Sequence, residues 1–306
     1  MKYVGMVPFC GRRHGATTNP SRNRLAWARY DAPMRLVTFE AGGVARPGAL
    51  VDGDVVDLSL VAATVEDLIA AGPVAWNRAR ALAERGPRMA PKKLLAPLRP
   101  ASLRDFLAFE DHAKGGAKRR NEELNPAWYK SPVYYKGNHR SIVGPDEDVT
   151  WPSFTEKLDF ELELACVIGT DKAIFGYTIM NDWSARDVQR DEMAMRLGPA
   201  KSKDFATSLG PCIVTADEID PRKGLTMRAR VNDDEWCKAN SADMHWTFPQ
   251  MIAHVSNGEV VWPGDVYGSG TPFGGCGLDH DRWLQPGDVV ELEIDGIGVL
   301  RNRVKR

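Results

Sequence analysis

The sequence predicts an α+β protein whose main domain is rich in β-strands. From residue 96 onward, strand patterns dominate and helical patterns are few and short. "Pro-Gly-Asp" occurs at 263–265 and at 286–288, each time as a turn that leads into a strand. The second turn is followed by "VVELEI", a turn at 295–296 and "GVLRNRV", and this alternation predicts a β-hairpin.

Residues 1–33 differ from the rest of the chain. They contain one lysine and five arginines against a single acid, Asp31, and show little hydrophobic periodicity. No apolar stretch follows Arg12 and Arg13, which argues against a secretion signal, whereas an Arg-rich, acid-poor start is also compatible with a transit peptide. We favour the simpler interpretation that translation begins at Met34, which makes residues 1–33 a basic extension outside the native protein.

A small N-terminal α/β domain is predicted over residues 34–95. Strand patterns flank a turn at 52–54, and Thr64 then begins the first of two helical patterns, with an acid three residues later as in a loose capping box. The segment 87–100 contains four prolines and is predicted to be a linker. The main domain is therefore expected over residues 96–306.

The composition favours a soluble, cytoplasmic protein with no nucleic-acid or membrane partner. Of its 306 residues, 43% are hydrophobic and 26% charged, as in ordinary globular proteins. The net charge of −1 gives no electrostatic reason to expect nucleic acid or a membrane surface, and no apolar run approaches the roughly 20 residues of a membrane-spanning helix. The five cysteines are odd in number and form no CxxC pair, which indicates reduced thiols.

An acidic run stands in the segment "LDFELELACVIG" (158–169). If the segment is one strand, Asp159, Glu161 and Glu163 share a face at intervals of roughly 7 Å, where like charges repel. A half-solvated strand with an acidic wet face is one explanation. The other is that a cation lies there.

Two further segments place polar side chains together. In "RDFLAFEDH", Asp105 and His112 are seven residues apart and share a face if the segment is helical, although a capping Asp and a surface His would give the same pattern. In "IMNDWSARDVQ", Asp182 lies near a strand end, and Arg186 and Gln189 share a face of the following helix. A helix cap at Asp182 and a salt bridge at Arg186 are the alternatives.

A shared cation site would explain these groups together. The segment "KSKDFATSLGP" adds Lys203 in a polar loop, where a solvated lysine is the alternative. With no Cys or His near them in sequence, the acids form an oxygen-only set, which Mg²⁺, Ca²⁺ or Mn²⁺ prefer and zinc does not. The set consists of Asp105, Glu161, Glu163 and Asp182. A divalent ion would remove the repulsion within it.

Four motifs are specific when they occur together: "LDFELELACVIG", "MNDWSARDVQ", "KSKDFATSLGP" and "GDVYGSGTPFGG". From about Arg104 to Arg303 the chain resembles the fumarylacetoacetate hydrolase family, and from Met34 it resembles the small domain that many members carry. The resemblance implies a mixed β-roll catalytic domain over 96–306, usually in a homodimer. It also implies a divalent metal, with Mg²⁺ as first choice and Ca²⁺ or Mn²⁺ as alternatives.

The resemblance also implies roles for individual residues. It assigns metal binding to Asp105, Glu161, Glu163 and Asp182. Asp159 is in the same motif but is not a family ligand, so we expect it beside the site or at the surface. His112 matches the general base. The groups that match contacts around the substrate are Tyr135, Arg186, Gln189, Lys203 and Thr271.

The chain departs from the fumarylacetoacetate-cleaving enzymes at four positions. Asp279 stands where they have a Glu that orients the histidine, and it is one methylene shorter. Leu107 and Met193 replace two substrate-binding tyrosines, and Asn121 replaces an arginine for a substrate carboxylate. These changes argue against fumarylacetoacetate itself as the substrate.

The sequence thus predicts a metal-dependent hydrolase that cleaves a C–C bond in a 1,3-dicarbonyl or acylpyruvate-type 2-oxo acid, in aromatic catabolism. His112, oriented by Asp279, would activate water, and Lys203 and Gln189 would stabilise the developing oxyanion. Arg186 would bind a substrate carboxylate or neutralise the metal cluster. An oxaloacetate-type decarboxylase or another 2-oxo acid lyase on the same metal site is one alternative. A non-catalytic binding protein with a structural metal is the other.

Overall fold

Strands dominate the computed structural model, which describes residues 34–306. The expectations for residues 1–33 lie outside the described residues. The strands within 34–306 are β1 (Arg35–Ala41), β2 (Val44–Val51), β3 (Asp54–Asp57), β4 (Arg88–Met89), β5 (Leu94–Leu95), β6 (Leu103–Phe106), β7 (Tyr134–Gly137), β8 (Ile142–Val143), β9 (Asp148–Thr150), β10 (Leu158–Asp159), β11 (Leu162–Ile168), β12 (Ile174–Asp182), β13 (Ser184–Ala185), β14 (Thr207–Thr215), β15 (Thr226–Val231), β16 (Asp234–Asn240), β17 (Val266–Gly268), β18 (Val289–Ile294) and β19 (Gly298–Lys305). The helices are α1 (Val65–Ala70), α2 (Pro73–Arg85), α3 (Glu110–Arg119), α4 (Arg186–Ala194) and α5 (Phe248–Ser256). The predicted α+β class is confirmed.

A mixed sheet of twelve strands forms the larger layer, in the order β4-β3-β2-β1-β14-β12-β11-β17-β6-β7, with β5 on β1 and β8 on β14. Two pairs, β8 with β14 and β6 with β17, are parallel. Strand β1 pairs with β14, so the N-terminal strands and the central strands share this sheet. The segment 87–100, predicted as a linker, contributes β4 and β5 to it. The proposed domain boundary between residues 95 and 96 stays a prediction.

A second sheet of five strands has the order β16-β15-β18-β19-β9. The hairpin predicted around 295–296 is confirmed, because β18 pairs with β19 from Val289↔Arg303 to Ile294↔Gly298. Apolar side chains of both sheets, such as Leu164 of β11 and Leu292 of β18, belong to one buried cluster. The main core therefore involves both sheets, and the central strands are covered from water.

Strand β11 explains why the acidic run can be internal. It lies between β12 and β17, and all seven of its residues are buried. The expected continuous strand is interrupted, however, since β10 ends at Asp159 and β11 begins at Leu162. The break separates Asp159, which pairs in β10 with β13, from Glu163 in the main sheet.

The five α-helices of the described chain are short, with 6 to 13 residues each. Thr64 caps α1 by accepting a hydrogen bond from the Asp67 N–H at 3.0 Å, as the sequence predicted. Helix α3 begins at Glu110 and carries His112, whereas Asp105 lies in β6. The expectation that these two residues share one face of a helix is therefore wrong. No helix within residues 34–306 is long and apolar enough to cross a membrane.

Candidate metal centre and active site

Four carboxylates meet at one end of the central strands, and we call this set the carboxylate centre. One oxygen from each lies within 4.8 Å of those of the others. The contributors are Asp105 of β6, Glu161 between β10 and β11, Glu163 of β11 and Asp182 at the end of β12. All four residues are at most 6% exposed. The explanation of a solvated acidic face is therefore wrong for this run.

Burial leaves the carboxylate centre short of partners. The Oε1 atom of Glu163 and the Oδ1 atom of Asp182 have no hydrogen-bond partner within the described chain. Desolvation raises the pKa of Glu163 well above its usual range, and repulsion by Asp105 and Asp182 adds to this. The pKa of Asp105 is raised for the same reasons, burial first and Asp182 second.

These oxygens without a hydrogen-bond partner fit a hard divalent cation. All four donors are carboxylates, which Mg²⁺, Ca²⁺ and Mn²⁺ prefer. At Gly268, an added Cβ would lie 2.7 Å from both Asp105 Oδ1 and Glu163 Oε2, so only glycine leaves the carboxylates in place. The Gly270 N–H donates to the same two oxygens, at 3.2 and 3.0 Å, and aligns the two side chains.

Two buried cations partly compensate the cluster. Lys203 Nζ donates to Glu161 at 2.5 Å and also to Asp182. Arg186 Nη2 donates to Glu161 at 2.8 Å. Although burial opposes ionisation, Lys203 and then Arg186 lower the pKa of Glu161 to about 2. The alternative of a solvated loop lysine is therefore wrong for Lys203, which is 5% exposed.

A histidine–aspartate pair, which we call the dyad, lies near the centre: after Lys203 and Arg186, the charge of His112 also lowers the pKa of Glu161. His112 Nδ1 is 3.2 Å from Asp279 Oδ2 across 167 residues of sequence. Asp279 also accepts the Gly274 N–H at 2.8 Å and Arg119 Nη1 at 2.8 Å. Burial would raise the pKa of Asp279, but the hydrogen bond and charge of His112 dominate and lower it far below the usual range. The structure thus brings the predicted pair together despite the shorter aspartate.

The remaining predicted contacts surround these two groups. Tyr135 donates its hydroxyl to Asp182 Oδ2 at 2.8 Å. Gln189 Oε1 accepts from Arg186 Nη1 at 2.9 Å, which leaves its amide NH₂ as a donor. Thr271 is buried, and its hydroxyl has no partner in the described part of the chain. These free donors can serve a bound substrate.

Asp159 lies beside the site, as one of the two expectations had it, and not at the surface, but sequence reasoning missed the contacts that it makes. Its side chain is fully buried and accepts Arg186 Nε at 2.8 Å, the Gly277 N–H at 2.8 Å and the Leu278 N–H at 3.0 Å. It therefore connects Arg186, and through it Glu161, to the 3-10 turn Gly277–His280, which contains Asp279. The sequence does place Asp159 two positions before the ligand candidate Glu161, which could have suggested a supporting role. The turn that it contacts at Gly277 is 118 residues away in sequence, so these contacts could not be predicted.

Comparisons with known proteins give one consistent family. A family model described as fumarylacetoacetate (FAA) hydrolase C-terminal matches residues 102–305. The chain is 33% identical over 228 residues to oxaloacetate tautomerase YisK of Bacillus subtilis, covering 69% of this chain and 73% of that protein. It is 32% identical over 297 residues to oxaloacetate tautomerase Fahd2a, mitochondrial, of Rattus norvegicus, covering 89% and 91%. The solved fumarylacetoacetate hydrolase of Exiguobacterium antarcticum matches with a TM-score of 0.73 at 30% identity, covering 89% of this chain and 99% of that one.

Proposed function

Because this chain belongs to the fumarylacetoacetate hydrolase family, we propose that it is a metal-dependent enzyme that cleaves a C–C bond in an acylpyruvate-type 2-oxo acid. The observation that supports this best is the dyad beside the carboxylate centre. A structural metal needs only the carboxylates, whereas an oriented histidine next to them serves proton transfer. A cytoplasmic homodimer belongs to the same proposal, and light scattering of the purified protein tests its dimeric part.

The metal would be held by Asp105, Glu161, Glu163 and Asp182. A bound Mg²⁺, or Mn²⁺ or Ca²⁺ in its place, would act as a Lewis acid toward the oxygens of a 2-oxo acid. Lys203 and Arg186 partly offset the negative charge of the four carboxylates, since both contact Glu161. The Tyr135 hydroxyl donates to Asp182 Oδ2, the oxygen that Lys203 also contacts, and helps to orient this carboxylate.

The dyad performs the proton transfers. Neutral His112 donates its Nδ1–H to Asp279, which leaves the Nε2 lone pair free to take a proton from water. The resulting hydroxide attacks the distal carbonyl of the acylpyruvate, and the amide of Gln189 donates to the developing oxyanion. Lys203 uses two of its three N–H donors on carboxylates, so the third can do the same.

Cleavage then completes the reaction. The C–C bond breaks, and its electron pair moves into the enolate of the pyruvate part while the acyl part leaves as a carboxylic acid. His112 returns its proton to the enolate carbon, so the balance is one water consumed, with pyruvate and a carboxylic acid released. Arg186 donates to Gln189, the residue proposed to stabilise the oxyanion, and its guanidinium can also bind a substrate carboxylate.

A second candidate is tautomerisation of an oxaloacetate-type acid. It is favoured by the relative named oxaloacetate tautomerase that matches 89% of this chain and is itself covered to 91%. The same base would remove a proton from the carbon between the carbonyls and return it at oxygen, with no attack by water. Decarboxylation of such an acid would need the same enolate.

One experiment separates these reactions. A panel of acylpyruvates and oxaloacetate is assayed with Mg²⁺, Mn²⁺ or EDTA, for the wild type, His112→Ala, Asp279→Asn and the control His254→Ala, an exposed histidine of α5. Pyruvate with a carboxylic acid indicates hydrolysis, CO₂ indicates decarboxylation, and loss of enol absorbance alone indicates tautomerisation. Metal-dependent hydrolysis that His112→Ala abolishes is expected. Oxaloacetate turnover by tautomerisation alone would replace hydrolysis by the second candidate.

A further inference from the structure

The carboxylate of Asp279 is held on both oxygens. Oδ2 faces His112 Nδ1 at 3.2 Å and accepts the Gly274 N–H at 2.8 Å. Within residues 34–306, the only hydrogen bond to Oδ1 comes from Arg119 Nη1, at 2.8 Å. The Asp279 side chain is 0% exposed while Arg119 covers it, so in the intact protein Arg119 and not bulk water satisfies Oδ1. Arg119 is therefore the partner that completes the hydrogen bonding of this carboxylate.

Arg119 and His112 reach Asp279 from one face of the same helix. They are seven residues, two turns, apart in α3. Gly115 lies between them on that face, and an added Cβ there would be 3.0 Å from the Phe273 ring and 3.8 Å from Arg119 Nη1. Because position 115 has no side chain, Phe273 can lie against α3, and the adjacent Gly274 can donate to Asp279.

A short carboxylate needs this second anchor. A carboxylate bound to histidine through one oxygen can still rotate about its Cβ–Cγ bond, since that torsion is soft. A bond to the other oxygen fixes the plane of the group, and a guanidinium supplies such a directed donor. The contact between Asp279 and His112 is already long at 3.2 Å, so a rotated carboxylate would lose it.

We propose that Arg119 is a positioning residue of this enzyme, which holds Asp279 in the orientation that fixes the ring and the Nδ1–H tautomer of His112. The proposal rests on the proposed function, in which His112 is the base. Arg119 is 34% exposed, so its replacement changes the edge of the site and leaves the core packed. The rival role for Arg119 is direct binding of a substrate carboxylate.

The next residue offers a matched control. Arg120 has a 58% exposed side chain that pairs with Glu122 at 2.9 Å and donates to the Gly116 carbonyl at 2.9 Å, away from Asp279. The variants are Arg119→Ala, Arg119→Lys and Arg120→Ala, each loaded with Mn²⁺. Steady-state kinetics with the best acylpyruvate, Mn²⁺ affinity by calorimetry and melting temperature are measured for each.

Arg119→Ala is expected to lower kcat about 10-fold to 100-fold, because small misplacement of a catalytic group costs that much, with KM within about twofold of the wild type. Arg119→Lys restores part of kcat, since a lysine keeps one donor and the charge, and added guanidinium restores part of it in Arg119→Ala. Arg120→Ala keeps the wild-type kinetics. Mn²⁺ affinity stays unchanged in all three, and the melting temperature falls modestly only in Arg119→Ala, where Asp279 Oδ1 loses its donor.

A spectroscopic readout decides the question independently of turnover. Nitrogen-15 NMR of histidine-labelled protein loaded with diamagnetic Mg²⁺ in place of Mn²⁺, with the His112 signals assigned from their absence in His112→Ala, shows the Nδ1–H tautomer in the wild type and a mixed tautomer in Arg119→Ala. An unchanged His112 tautomer in Arg119→Ala overturns the proposal, as does a raised KM at constant kcat, which assigns Arg119 to the substrate. If His112→Ala keeps full turnover, the proposed function fails, while the tautomer still tests Arg119.

Discussion

Asp279 has a hydrogen-bond donor on each carboxylate oxygen, whereas Glu163 has one oxygen without a partner in the described residues, although both side chains are fully buried. The pKa of Asp279 lies below its usual range because the charge and hydrogen bond of His112 outweigh burial. The pKa of Glu163 lies above its usual range because of burial and of neighbouring acids. The two groups lie in one site, yet only Asp279 has both carboxylate oxygens satisfied by donors of the described chain.

This difference separates two tasks. The dyad is held by donors of the chain itself, so its geometry does not depend on an added group. In the carboxylate centre, Glu163 Oε1 and Asp182 Oδ1 have no hydrogen-bond partner among the described residues, which fits an ion as their partner. Substitutions in the two regions should therefore affect different measurements, and four predictions test this separation.

The largest effect is expected from Glu163→Gln in the carboxylate centre. Loss of one anionic ligand should abolish Mn²⁺ binding in calorimetry and lower turnover by about 10³-fold or more. The metal-free variant should be at least as stable as the wild type toward urea, because a buried carboxyl group whose ionisation is opposed by burial and by its acidic neighbours is replaced by a neutral amide. The control Asp146→Asn, at a side chain that is 62% exposed, changes neither property. Unchanged Mn²⁺ affinity in Glu163→Gln would show that the ion binds elsewhere.

The next effect concerns the dyad alone. His112→Gln should lower turnover about 10²-fold to 10⁴-fold, the usual contribution of a general base. Its Mn²⁺ affinity should stay within about twofold of the wild type, because His112 is not among the four carboxylate ligands. A large loss of Mn²⁺ affinity in this variant would show that the two regions are not separable.

Local patterns made much of this arrangement predictable. The alternation in "VVELEI" and "GVLRNRV" gave the hairpin β18–β19, because strand pairing across a short turn is encoded by neighbours in sequence. The four carboxylates could be named because each stands in a short motif, and the structure gathers them. The base and its partner could be named from a resemblance, even though 167 residues separate them.

Contacts between distant segments were not predictable. The break between Asp159 and Leu162 depends on β10 pairing with β13, and a continuous apolar–acidic alternation gives no sign of it. The anchoring of Asp279 by Arg119 depends on how the 3-10 turn folds against α3. Residues with several local alternatives, such as a surface arginine, acquire a role only from such tertiary contacts.

The third prediction concerns Lys203 and the stability of the metal-free carboxylate centre. Lys203→Met removes the cation that pairs with Glu161 and Asp182, and breaking a buried pair in this way typically costs about 3–5 kcal/mol. We expect that loss in urea unfolding of the metal-free protein. Mn²⁺ should stabilise the variant more than it stabilises the wild type, because the ion supplies the missing positive charge. The control is Lys201→Met, an exposed lysine two positions earlier. Equal stabilisation by Mn²⁺ in both proteins would contradict the compensation.

The smallest effect is a pH dependence that belongs to the dyad. The folded pKa of Asp279 lies below its unfolded value of 3.8, so the unfolded chain binds a proton that the folded chain does not. The stability contributed by Asp279 is therefore complete above about pH 5 and is lost as the pH falls below 3.8 toward the folded pKa. Hydrogen bonds to a charged group suggest about 1.5–3 kcal/mol.

Urea unfolding of the wild type and of Asp279→Asn between pH 7 and about pH 2.5 measures this contribution. The difference in unfolding free energy between the two proteins should be constant near neutrality and should shrink on acidification, since protonated Asp279 and asparagine are alike in charge. The carboxylates of the centre cancel from this difference because both proteins contain them. By itself, the lowered pKa of Glu161 would give the same sign as Asp279, and the raised pKa values of Asp105 and Glu163 the opposite sign. A difference that grows at low pH would mean that Asp279 is protonated in the folded protein and that the contrast between the two buried carboxylates does not hold.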